Sequence, residues 1–150
     1  MNTEVIEVYE RASAQADNAD LKLNLSYEER SRGRQRTKAQ SGEEVHLFLD
    51  RTKPLEVGEQ LKSRCGKTLV IEGAVEPVVT AITDDWQLFS RACYHLGNRH
   101  VKMQIGERWL RITPDHVLED MLCLLGLEIS HGQHIFVPEN GAYSHGGHHH

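Results

Sequence analysis

Residues 21–27 alternate. Leu21, Leu23, Leu25 and Tyr27 are apolar or aromatic, while Lys22, Asn24 and Ser26 are polar. A period of two sends successive side chains to opposite faces, so the segment predicts a half-buried strand. A second alternation, Val45, Leu47 and Leu49, follows the turn signal Ser41-Gly42-Glu43, with His46 and Phe48 on the other face. Cys65-Gly66-Lys67 predicts another turn, leading into a strand over residues 68–71. Short strands joined by turns over residues 1–75 predict a small all-β domain, a barrel or sandwich.

From about residue 76 the period changes. Val78 to Ile82 predicts a strand, and Thr83-Asp84-Asp85 then offers a helix cap. Trp86, Phe89, Cys93 and Leu96 recur at spacings of three and four, one face of a helix. Gly97 falls where a helix ends. Val101 to Ile105 and Trp109 to Ile112 flank Gly106-Glu107 as a hairpin. Thr113 is the expected N-cap of a second helix and Pro114 its first residue. Val117, Leu118, Met121, Leu122 and Leu125 form that helix's apolar face, Gly126 closes it, and Leu127 to Ile129 is a last strand. The order is βαββαβ, so residues 76–140 predict a ferredoxin-like domain and the chain an α+β fold class. Residues 141–150 hold small residues and histidines that build no core, and predict a flexible His-containing tail.

Composition narrows the function. The 150 residues leave room for one ordinary domain or two small ones. No apolar run approaches the roughly 20 residues of a membrane span, and the acidic start lacks the apolar stretch of a secretory signal. A cytoplasmic protein with no membrane partner is expected. Cys65, Cys93 and Cys123 are odd in number and far apart, which fits no disulfide framework and no metal knuckle. The net charge of −5 argues against nucleic acid as a partner. The basic run Arg30 to Lys38 lacks the aromatic pattern of an RNA-binding sheet, and instead predicts an exposed strand that meets a protein. No enzyme is expected. Gly66-Lys67-Thr68 resembles the end of a phosphate loop, but the glycine required five residues earlier is Leu61. Cys93 and His95, two apart on a helix, point away from each other and do not share a proton.

The histidines carry the remaining signal. Ten are present, and imidazole suits nickel, copper and zinc. His145, His148, His149 and His150 lie in the tail, where they are free to swing onto a metal; Gly-Gly-His-His-His also reads as a purification-tag remnant. His100 stands in Gly97-Asn98-Arg99-His100-Val101, between a helix end and a strand. Taken alone it reads first as a capping or surface histidine. In a twofold dimer the same position supplies two nitrogen ligands. His116 is placed in the first turn of the second helix, His131 and His134 in a loop near the last strand's end, and His46 on a strand surface. None of these is a first choice as a ligand.

Three stretches resemble one family in order. Ala92-Cys93-Tyr94-His95-Leu96-Gly97-Asn98-Arg99-His100-Val101 is similar to the central motif of the urease accessory protein UreE family. Asp115-His116-Val117-Leu118-Glu119-Asp120-Met121-Leu122 resembles its second motif. Phe136-Val137-Pro138-Glu139-Asn140-Gly141-Ala142-Tyr143 resembles its C-terminal lead-in. The likeness implies a nickel metallochaperone that forms a homodimer through its second domains. It implies a first domain that binds a peptide or partner, and delivery of Ni(II) to a urease accessory GTPase and the urease apoprotein complex. Cu(II) and Zn(II) are the expected competitors. The bridging ligand carries over to His100, and the tail ligands to His145, His148, His149 and His150. Pro114 stands where some members have a further histidine, and the tail is shorter than the histidine-rich tails of others. A general Ni/Cu/Zn buffer, or a metal-independent peptide- or RNA-binding module, is the alternative.

Overall fold

The computed structural model describes residues 4–12, 18–50 and 53–140. The chain divides into two compact units, Met1–Ala74 and Val75–His150.

The first unit holds strands β1 (Val5–Arg11), β2 (Leu21–Leu25), β3 (Arg34–Lys38), β4 (Glu44–Phe48), β5 (Gln60–Ser63) and β6 (Thr68–Gly73), with one short helix, α1 (Tyr27–Arg30). They form one sheet in the order β2-β6-β5-β1-β4-β3. Its core comprises the inward residues of the alternating strands, among them Ile6, Val8, Leu23, Val45, Leu47, Leu61 and Ile71. Two expectations change here, and a strand that the sequence left unassigned appears. The alternation from Leu21 stops at Leu25. Ser26 caps α1 instead: its hydroxyl accepts from the Glu29 amide and the Glu29 carboxylate accepts from the Ser26 amide, a reciprocal cap that overrides the strand period at Tyr27. The N-terminal segment is a central strand, with Ile6 and Val8 inward. Arg30 is not part of the basic surface. It is 3% exposed, and its guanidinium donates to the Leu25 carbonyl at 2.9 Å.

The second unit runs β7 (Val75–Ile82), α2 (Trp86–Asn98), β8 (Gln104–Ile105), β9 (Trp109–Ile112), α3 (His116–Leu125) and β10 (Glu128–Ile135). The sheet is antiparallel throughout in the order β10-β7-β9-β8. Val79, Ala81, Leu110 and Ile112 of the sheet meet Phe89, Ala92 and Leu96 of α2 and Leu122 of α3 in one core. Asp85 caps α2 as the sequence indicates, accepting from the Gln87 and Leu88 amides.

Several boundaries move. Asp115, not Thr113, caps α3, accepting from the Val117 and Leu118 amides, so Pro114 lies before the helix. The turn residues of the β8–β9 hairpin are Glu107 and Arg108, because Gly106 N–H still bonds to the Trp109 carbonyl at 2.8 Å. Gly106 packs so closely on the Trp109 ring that a side chain has no room there. The strand expected over residues 101–105 shrinks to Gln104–Ile105. The last strand runs on to Ile135, which places His131 and His134 in a strand and not in a loop. Gly126 ends α3 with φ 104°, a left-handed turn that glycine adopts without steric cost. The apolar face of α3 also splits: Leu122 is buried, Leu118 and Leu125 are half-buried, and Val117 and Leu124 face outward.

Candidate metal centre

α2 runs to Asn98, one residue past Gly97. Gly97 lies inside the helix, Arg99 is the C-cap, and His100 follows it with φ 57°, in the left-handed region. Two backbone bonds define the closure. His100 N–H reaches the Gly97 carbonyl at 3.0 Å, and Val101 N–H reaches the Leu96 carbonyl at 3.2 Å. This is the paired-bond helix ending in which the residue after the cap is normally glycine. Its usual apolar partners are also present, since Leu96 is fully buried and Val101 packs against the same core. Histidine here departs from the local rule. A left-handed residue with a Cβ costs on the order of 1 kcal/mol, and such costs collect where a side chain has another task.

The geometry suits a cation ligand. The His100 side chain is exposed. It stands at the C-terminal, partially negative end of a 13-residue helix, which favours positive charge by up to about 1 kcal/mol at exposed sites. The closing backbone bonds fix its stem. Cys93, in the same motif, packs against the core, and burial pushes its thiol up.

The other histidines are occupied or apart. His131 Nε2 lies 2.6 Å from a Glu119 carboxylate oxygen, and His46 Nε2 lies 2.7 Å from one of Glu44. His116 opens α3 on the surface, and His134 folds back on Gly132. His95 is exposed, with its ring against Tyr94 at 5.4 Å. Among the described residues no three His, Cys, Asp or Glu side chains gather around a point that would hold a metal ion. Among the described residues His100 therefore stands as a lone exposed imidazole at this helix end. His145, His148, His149 and His150 lie outside the described residues.

The left-handed backbone of His100 was not visible in sequence. Gly97 carried the helix-ending signal, one residue before the helix ends at Asn98 and three before the left-handed residue. The one general hint is that His, with Asn and Asp, tolerates this conformation more often than other side chains.

Comparison with known proteins covers both units. Residues 3–74 match the family model described as UreE urease accessory protein, N-terminal domain, and residues 76–150 the corresponding C-terminal domain. The chain is 56% identical over 147 residues to a urease accessory protein UreE of Marinomonas sp. (strain MWYL1), covering 97% of this chain and 100% of that one. A urease accessory protein UreE of Alteromonas mediterranea is 47% identical over 142 residues, covering 95% and 92%. One from Vibrio parahaemolyticus is 43% identical over 133 residues, covering 84% of each.

Proposed function

Because the chain belongs to the UreE family of urease accessory proteins, we propose that it is a cytoplasmic, non-catalytic nickel carrier that works as a homodimer. His100 of each protomer supplies one nitrogen to a Ni(II) ion on the twofold axis, and His145, His148, His149 and His150 close the shell from the tails. The observation that carries this reading is the exposed His100 held in a glycine-type helix ending, with no complete metal site among the described residues. A lone imidazole binds a metal weakly, whereas two across a symmetry axis chelate it. The βαββαβ order with its β10-β7-β9-β8 sheet supports a ferredoxin-like second domain. On its surface Val117 and Leu124 lie two turns apart along α3, both exposed apolar side chains, which supports dimer packing.

A few exchangeable nitrogen ligands hold Ni(II) and release it one bond at a time. Copper binds such sites more tightly and zinc competes, so nickel identity comes from supply and from the recipient, a urease accessory GTPase with the urease apoprotein complex. The first unit serves as the peptide- or partner-binding part. Nickel calorimetry beside analytical ultracentrifugation tests the reading. The unaltered chain should take up one tight nickel per dimer, and His100→Ala should lose that event and keep the fold. A His100→Ala protein that still holds one tight nickel per dimer would place the site elsewhere.

A further inference from the structure

β3 is an edge of the six-stranded sheet. Its antiparallel ladder pairs Arg34 with Phe48, Arg36 with His46 and Lys38 with Glu44. Just outside the strand, Leu49 N–H bonds to the Gly33 carbonyl at 2.7 Å and Ala39 N–H to the Glu43 carbonyl at 2.9 Å. Backbone groups in an antiparallel ladder point alternately toward and away from the partner, so these two bonds set the phase. Gln35 and Thr37 bond to β4, while the N–H and C=O of Arg34, Arg36 and Lys38 face out from the edge. The edge rejoins the sheet only past Lys38, where Gln40 N–H meets the Lys22 carbonyl at 2.9 Å.

The same three residues are exposed cations that make no hydrogen bond or ion pair with any described residue. Several arginines of this unit are matched, Arg11 with Glu59, Arg32 with Glu28 and Arg64 with Glu7, while Lys62 and Lys67 have no ion pair among the described residues. Beside Arg34 and Arg36 lies a recess of about 250 Å³ with Phe48 in its wall, and the Phe48 ring stacks on Tyr9 at 4.9 Å. Unmet backbone donors and acceptors therefore coincide with unmet positive charge.

We propose that β3 takes up an extended acidic polypeptide segment as an added strand. The main chain of the segment bonds to the outward groups of Arg34, Arg36 and Lys38, and carboxylates at alternate positions meet the three cations. A nucleic-acid strand fits this edge less well: phosphates accept from N–H groups but donate nothing to the outward carbonyls. Cations on an edge also deter pairing between sheets, and an edge built only for that purpose would bind no peptide. The inference rests on the reading that the first unit meets a protein partner, and it names the chemistry of that partner.

Fluorescence anisotropy of a labelled (Glu-Thr)5 peptide with the full chain tests it. Saturable binding is expected, and (Lys-Thr)5 should not bind. The double variant Arg34→Ser, Arg36→Ser should weaken binding by roughly tenfold or more and leave the nickel titration unchanged. Two further peptides, N-methylated at every Glu or at every Thr amide, separate strand addition from simple charge attraction. One should lose roughly tenfold in affinity and the other should keep it, because only one set of amides faces β3. This arm uses the unaltered chain, so misfolding of a variant cannot mimic it. No binding of (Glu-Thr)5, equal binding of both methylated peptides, or equal binding of an oligouridylate would overturn the proposal. If the peptide fails while the first unit still engages the urease apoprotein complex, strand addition is wrong and the partner reading stands.

Discussion

Replacing His100 with glycine removes the imidazole and, in the same step, releases a left-handed backbone. The two effects separate because His100→Ala removes the imidazole alone. At φ 57° alanine retains the clash of Cβ with the following carbonyl, worth roughly 1–2 kcal/mol. Glycine escapes it, but gives back about 0.4–1 kcal/mol through its freer unfolded chain. Without metal, His100→Gly should therefore be about 1 kcal/mol more stable than His100→Ala, a rise of roughly 2–4 °C in melting temperature. Nickel reverses the order against the unaltered chain. A ligand at a hundred times its dissociation constant adds about 2.7 kcal/mol to a protein that binds it only when folded. That exceeds the backbone gain, and neither variant should receive it at the tight site.

Differential scanning calorimetry of the three proteins, with and without Ni(II), reads both effects. The expected order is His100→Gly above His100→Ala without metal, and the unaltered chain above both with it. A glycine variant no more stable than the alanine variant would show that residue 100 is not held in the left-handed region. A full nickel-induced rise in either variant would remove His100 from the site.

Other outcomes follow from the same structure. A chain ended at Tyr143 should melt as the full chain does without metal, because the removed residues have no apolar face, yet bind nickel more weakly; identical calorimetric titrations would dismiss the tail ligands. Nickel affinity should fall as pH drops through the ordinary imidazole range, about 6.5, since only neutral imidazole coordinates; unchanged affinity down to about pH 5 would indicate carboxylate ligands. Leu124 is 88% exposed, so Leu124→Asp should shift the sedimentation profile toward monomer with little loss of unfolding free energy, and an unchanged profile would place the dimer contact off α3. Cys65 should alkylate well before Cys93 near pH 8: the hydrogen bond with Ser63 at 3.2 Å lowers its thiol and enlarges the thiolate fraction, while burial raises Cys93. Ser63→Ala should slow Cys65 labelling, read by mass spectrometry of timed iodoacetamide reactions.

What could be read from sequence depended on how regular the periodicity was. Leu21, Leu23 and Leu25 alternate and all lie inward, as do Val45, Leu47 and Leu49. Phe89 and Leu96 of α2 are buried as their spacing indicates, and Cys93 packs against the same core. Period fails where short-range chemistry competes with it. Ser26 and Glu29 close a reciprocal cap that takes Tyr27 out of the strand; the Ser-x-x-Glu spacing was present in the sequence and is the signal that identifies the turn. Asp115 outranks Thr113 as a cap because its carboxylate reaches two amides at once. Composition also misplaces individual charges. Arg30 belongs to a basic run, but packing turns it inward to a backbone carbonyl, so the accessible cations begin two residues later. For the candidate site, His100 was singled out through the resemblance of its motif, and its left-handed backbone was not legible. Left-handed backbone at a side-chain-bearing residue leaves no pattern in the neighbouring sequence.

His100 lies at the junction of two opposing demands. A helix ending is stabilised by glycine, whose lack of a side chain relieves the left-handed turn, and a metal site needs a side chain at an exposed and fixed point. The backbone bonds from His100 and Val101 back into α2 hold that point fixed without burying it. The strain is small beside the burial of Leu96, Phe89 and Ala92 against the sheet, so the fold tolerates it. On the proposed reading, a ligand at this helix end needs others from elsewhere, since no further metal-ligating side chains gather around a point among the described residues. A site complete in one chain would hold its ion more firmly and release it less readily. On the proposed reading, a single exposed donor would make uptake depend on a second protomer and on the tail histidines, and release on losing them, as a carrier requires.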